Sequence, residues 1–96
     1  MTNQISDFIF TATPEAVASF HEDGIVILHT AKGCLFTANG TGARIWGGVT
    51  QQQSLDTIAD EISSEYQITR TTVYEHMVAF LAELERNQLI KRGAVS

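Results

Sequence analysis

The run Phe36-Thr37-Ala38-Asn39-Gly40-Thr41-Gly42-Ala43-Arg44-Ile45-Trp46 constrains this chain more than any other stretch. It joins a strand ending at Asn39 to a helix that buries Trp46, so a sheet gives way to helices there. Upstream, Val17 to Glu22 alternates weakly and reaches Asp23-Gly24, a pair favoured in tight hairpins because both positions tolerate positive φ. Ile25 to His29 reads as a second strand and Thr30 to Gly33 as a turn. Cys34 to Ala38 resumes strand character, with Leu35 and Thr37 on one face and Cys34 and Phe36 on the other. This predicts a three-stranded antiparallel meander. Its third strand is an edge unless something covers it, because the chain next enters helices.

Asn39 or Thr41 can cap the first helix, and Gly47-Gly48 lies where a helix of ordinary propensity frays, so this helix should be short. The second should begin at Ser54 with Asp56 in its first turn, and run to about Glu65. Its Leu55, Ile58, Ala59 and Ile62 stand at i, i+3, i+4 and i+7, one buried face. Thr69 can cap the third helix, Thr72 and Glu75 have capping-box spacing, and Val73, Met77, Phe80, Leu81 and Leu84 form one apolar stripe. A three-stranded antiparallel sheet followed by three helices predicts an α+β fold, winged helix-turn-helix-like, with the last helix free to lie across the sheet. Residues 1–14 read as a loosely held N-terminal arm ending at the only proline, Pro14, though Phe8-Ile9-Phe10 is apolar enough to dock. Residues 15–92 make the domain and 93–96 a tail.

A length of 96 residues allows one domain with a modest core, not a doubly wound enzyme fold. Six Lys plus Arg against eleven Asp plus Glu give a formal charge of −5, which repels nucleic acid phosphates and acidic membrane surfaces. A basic or neutral peptide suits such a chain better. The single cysteine, Cys34, makes no internal disulfide, so the expected compartment is the reducing cytoplasm. The N-terminus lacks a basic, then apolar, signal pattern, and no segment approaches the roughly 20 apolar residues of a membrane span.

Candidate chemistry is thin. Gly40-Thr41-Gly42 between strand and helix resembles the start of a dinucleotide fingerprint, but Ile45 stands where the third glycine belongs. Cys34 with His21, His29 or His76 would be a nucleophile and base only if something oriented the pair, and nothing in the pattern does. The three histidines lack metal-ligand spacing. No catalytic residue, cofactor or metal is therefore expected. Trp46, Phe80 and Leu84 at helical spacing read as core before they read as a ligand pocket. Asp56, Asp60, Glu61 and Glu65 read as a solvated helix face.

Several spaced signals add up to a resemblance. Asp23-Gly24-Ile25-Val26-Ile27-Leu28 is followed by Lys32-Gly33-Cys34-Leu35-Phe36, and Asn39, Thr41, Gly42, Ala43, Ile45 and Trp46 spell N-x-T-G-A-x-I-W. Then come Leu55, Ile58, Ala59 and Ile62, the aromatic Tyr66, and Val73, Met77, Phe80, Leu81, Leu84, Leu89 and Ile90 in the last helix and beyond. From about Asp23 to Arg92 this pattern resembles the PqqD-like family of peptide-recognition domains. His76 stands where the family usually has Asp, and Gln88 where it usually has Gly.

The resemblance implies a stand-alone, non-catalytic RiPP recognition element that binds the leader of a ribosomally made precursor peptide by β-strand addition. In such domains the leader lies between the third strand and the third helix. Here that implies a peptide-binding strand of Cys34, Leu35, Phe36, Thr37 and Ala38, facing helical residues drawn from Val73, His76, Met77 and Phe80. The pattern alone does not say which of the helical residues line the groove and which fill the core. Replacement of the family Asp by His76 suggests a partner without a matching cation at that point. The N-x-T-G-A-x-I-W turn looks most like the domains of lasso peptide systems. The implied partner is then a leader peptidase, a transglutaminase-like cysteine protease acting before a cyclase. A radical S-adenosylmethionine maturase is the alternative enzyme.

Two competing readings stay open at this level. Phe36 and Met77 could be plain core residues, with the strand edge covered by Phe8-Ile9-Phe10 or by a second copy of the chain in a homodimer. The same helix order could also belong to a winged-helix DNA-binding regulator. Against the latter, the last helix carries Arg70 and Arg86 but also Glu75, Glu83 and Glu85.

Overall fold

The computed structural model describes residues 8–94. The order is β1 (Phe8–Ala12), β2 (Ala16–His21), β3 (Gly24–His29), β4 (Cys34–Ala38), α1 (Gly40–Thr50), α2 (Leu55–Tyr66), α3 (Arg70–Arg86) and β5 (Ile90–Ala94). The α+β architecture follows the expected plan. β2, β3 and β4 form the antiparallel meander, and three helices follow. A second, two-stranded sheet was not foreseen. In it β1 pairs antiparallel with β5, Phe8 opposite Ala94 and Ala12 opposite Ile90.

That small sheet corrects the reading of a loosely held arm and of a tail from residue 93. Phe10 is buried, with the Arg92 guanidinium 5.4 Å from its ring centre. Just beyond β1, the Thr13 backbone N–H donates to the Leu89 carbonyl (3.0 Å), while its hydroxyl donates to Gln88 O (3.0 Å). Burial of one aromatic ring and closure of these backbone bonds hold the segment in place. Residues 1–7 of the arm and 95–96 of the tail lie outside the described residues.

The β2–β3 turn falls one residue earlier than Asp23-Gly24. Register pairs His21 with Gly24, leaving Glu22 and Asp23 as the loop. Gly24 opens β3 at φ +156°, where an added Cβ would stand 2.0 Å from the Ala38 carbonyl oxygen, so only glycine allows β4 to approach this closely. Along β3, Ile25, Ile27 and His29 are buried. The His29 ring accepts the Lys32 backbone N–H at Nδ1 (3.2 Å), which makes it a satisfied core histidine.

α1 runs 11 residues, straight through Gly47-Gly48 where fraying was expected. A Cβ on Gly48 would lie 2.5 Å from Ile58 Cγ1, so the missing side chain lets α2 pack against α1, and that packing outweighs poor propensity. α2 is capped by Ser54 and α3 by Thr69, as the sequence predicts. The core gathers Ile45, Trp46 and Val49 of α1, the four predicted apolar residues of α2, and Val73, Met77, Leu81 and Leu84 of α3, closed by Ile25, Ile27, Leu89, Ile90 and Phe10.

α1 and α3 end in the same motif. Gln53 N bonds Gly48 O and Gln52 N bonds Val49 O after α1; Leu89 N bonds Leu84 O and Gln88 N bonds Glu85 O after α3. These are Schellman caps, and Gln52 and Gln88, both at φ 61°, occupy the left-handed position that glycine usually fills. The glycine that the resemblance leads one to expect at position 88 thus has a backbone reason.

Candidate functional site

β4 hydrogen-bonds to β3 on one side and has no strand partner on the other among the described residues. The segment suspected of covering it, Phe8-Ile9-Phe10, is engaged by β5 instead. Beside the open edge lies a groove of about 630 Å³ between β4, the start of α1 and α3. Its walls are Phe36, Thr37, Ala38 and Asn39 of the strand and its end, Thr41, Gly42 and Ile45 of α1, Ile68 from the turn before α3, and His76, Ala79, Phe80 and Glu83 of α3.

The walls follow from local structure. Phe36 and Ala38 alternate toward the helices and are half-buried, while Leu35, at 68% exposure, faces away. The Phe36 and Phe80 rings meet at 5.8 Å between centroids, tilted by 36°, across the bottom of the groove. Asn39 caps α1 through the Gly42 N–H (3.1 Å) and so fixes the corner where strand becomes helix. At Gly42 a Cβ would stand 2.6 Å from Ala38 Cβ and 3.1 Å from the Phe80 ring, so the bare glycine makes room for Phe80 between α1 and α3.

The predicted residues separate into three sets. Phe36, Thr37, Ala38, His76 and Phe80 border the groove. Cys34 and Leu35 sit exposed on the same strand but outside it. Val73 and Met77, at 2% and 0% exposure, belong to the core, because they point from α3 to the inside of the molecule and not to the strand edge. Trp46 and Leu84 are core as well. The sequence reading missed Asn39, Thr41, Gly42, Ile45, Ile68, Ala79 and Glu83 as wall residues. For Ala79 and Glu83 a signal existed, since they stand three and seven residues after His76 on one helical face.

Charge is sparse in the groove. Glu83 is its one fixed charge and His76 its one other ionisable wall residue. The arginines of α3 are paired with carboxylates, Arg70 with Asp56 (3.0 Å) and Asp60 (2.9 Å), Arg86 with the wall residue Glu83 at 3.7 Å. A helix neutralised in this way offers no basic face for phosphates. Arg44 ties α1 to α2 through Glu65 and Glu61; the Glu65 hydrogen bond, then the charges of both carboxylates, raise its pKa against partial burial. A second depression of about 530 Å³ is lined, among the described residues, by Arg70, Thr71, Tyr74, Glu75 and Val78 of α3. Among the described residues no three His, Cys, Asp or Glu side chains cluster as a metal site, and no helix is long and apolar enough to cross a membrane.

Comparison with known proteins finds relatives of this fold. The family model described as coenzyme PQQ synthesis protein D (PqqD) matches residues 24–90. Among solved structures, TbiB1 in complex with the TbiA(beta) leader peptide superposes with a TM-score of 0.78 at 28% identity, over 84% of this chain and 94% of that one. A lasso peptide synthetase B1 complexed with the leader peptide gives 0.79 at 25% identity, over 86% and 98%. No curated protein matches.

Proposed function

The chain belongs to the PqqD family, and we propose that it is a non-catalytic recognition protein that binds the leader of a ribosomally made precursor peptide and delivers it to a separate enzyme. The observation that carries this reading is the unpaired edge of β4 beside the groove, in a fold whose solved relatives hold leader peptides. An extended leader would add to β4 as a fourth strand and send alternate side chains between Phe36 and α3. Each backbone bond contributes about 1 kcal/mol net, and each fully buried apolar anchor about 1.5–3 kcal/mol. Affinity therefore needs both, and selectivity lies with the groove.

The enzyme served is a leader peptidase of a lasso pathway, on the strength of the N-x-T-G-A-x-I-W turn and of the likeness to a lasso peptide synthetase B1. A second reading, a PqqD-type chaperone for a radical S-adenosylmethionine maturase, takes its motive from the description of the family as coenzyme PQQ synthesis protein D. Calorimetric titration of a synthetic leader, the TbiA(beta) leader first, into the wild type and Phe36→Asp tests the binding. Saturable binding that is lost in a variant still folded by circular dichroism is the expected outcome. Binding that survives Phe36→Asp would move the site off β4. Adding the protein to a peptidase and precursor, against a radical maturase and precursor, separates the two deliveries by which reaction accelerates.

A further inference from the structure

The polarity of the groove points to the chemistry of its occupant. Cys34 pairs with His29, and His29 shares a surface depression with Glu85 and Gln88, so the Cys34 end of β4 lies toward the C-terminal end of α3. The Ala38 end lies at Gly42, beside the start of α1. Glu83 and His76 are two turns apart on α3, about 10 Å along the axis, with Phe80 and Ala79 between them. Among the described residues the walls of the groove are thus apolar in the middle, carry Glu83 toward the Cys34 end, and carry no fixed charge toward the Ala38 end, where Asp23 lines a separate depression beside Thr37 and Ala38.

Resting on the peptide-binding reading above, we infer that Glu83 is a specificity residue, and that the leader carries a Lys or Arg at the Cys34 end of its bound segment, two residues from the apolar side chain seated on Phe36 and Phe80. The spacing follows from strand geometry. Side chains facing the groove recur every two residues, about 6.8 Å, whereas Glu83 is displaced from Phe80 by about 4.5 Å along the helix and its side chain has reach to spare. The existing Arg86 contact does not block this. It is 3.7 Å long, between side chains 69% and 52% exposed, and such pairs exchange readily. A bound peptide would also shield Glu83 from water, which strengthens its pull on a cation.

The test is a positional scan. A twelve-residue extended host peptide with one central Phe carries a single Lys moved through the four positions on either side, and each peptide is titrated into the wild type, Glu83→Gln and Glu83→Lys. Wild-type affinity should peak with Lys two residues from Phe on one side only, by about three- to tenfold, in line with partly screened ion pairs. The peak should vanish in Glu83→Gln, and Glu83→Lys should shift preference to the same peptide carrying Glu. A flat scan, or a peak that persists in Glu83→Gln, overturns the role of Glu83 while leaving peptide binding standing. Failure of every host peptide while the TbiA(beta) leader binds overturns the inferred seating of Phe and Lys, and failure of the leader as well overturns the recognition reading itself.

Discussion

Two neighbouring stripes of α3 serve opposite ends. Val73, Met77, Leu81 and Leu84 are sealed in the core at 2% exposure or less. One step around the helix, His76, Ala79, Phe80 and Glu83 face an open groove and a strand with an unused edge. Hydrophobicity alone does not put Met77 on the sealed stripe and Phe80 on the open one, since both are apolar. What separates them is the opposing wall, continuous under one stripe and missing a strand under the other.

The comparison can be broken by mutation. Met77→Ala should have the largest effect, a loss of about 2–5 kcal/mol from a filled core site, read as a lower urea midpoint. A loss under about 1 kcal/mol would show that the core stripe is not packed as described. Gly42→Ala acts where the stripes communicate. The new Cβ meets Ala38 and Phe80, so overpacking should cost about 1–3 kcal/mol and push Phe80 toward the groove, weakening leader binding. Unchanged leader affinity in calorimetry would separate the seat of Phe80 from recognition.

Gln88→Gly should raise stability by about 0.5–1 kcal/mol by relieving a left-handed glutamine, visible as a higher melting temperature with leader affinity constant. A melting temperature that falls would mean that the Gln88 side chain contributes more than its backbone costs. His76→Ala should change stability least, by under about 0.5 kcal/mol at an exposed site, yet alter leader affinity. If affinity holds in both His76→Ala and His76→Asp, the groove ends before His76.

Much of this was legible from local pattern. The meander, α2 with its four buried residues, and the caps at Asn39, Ser54 and Thr69 all follow from signals within a few residues. What escaped depended on distant parts of the chain. Phe8–Ala12 is five residues long, and its partner Ile90–Ala94 lies at the other end of the sequence, so no local periodicity marks either as paired. The persistence of α1 past Gly48 needed Ile58 to pack there. Placement of Met77 inside and His76 outside needed the position of β4, because a helical stripe spans more than one packing face. The edge of β4 was foreseen for the right reason, while the segment that the competing reading laid over it, Phe8-Ile9-Phe10, is bonded to β5.

The pairing of Phe8 with Ala94 has a further consequence. It brings the first and last of the described residues within one strand spacing, about 5 Å, remote in sequence from every wall of the groove. A domain closed in this way can be spliced into a host protein through a single pair of adjacent junctions, both on the sheet that does not contain β4.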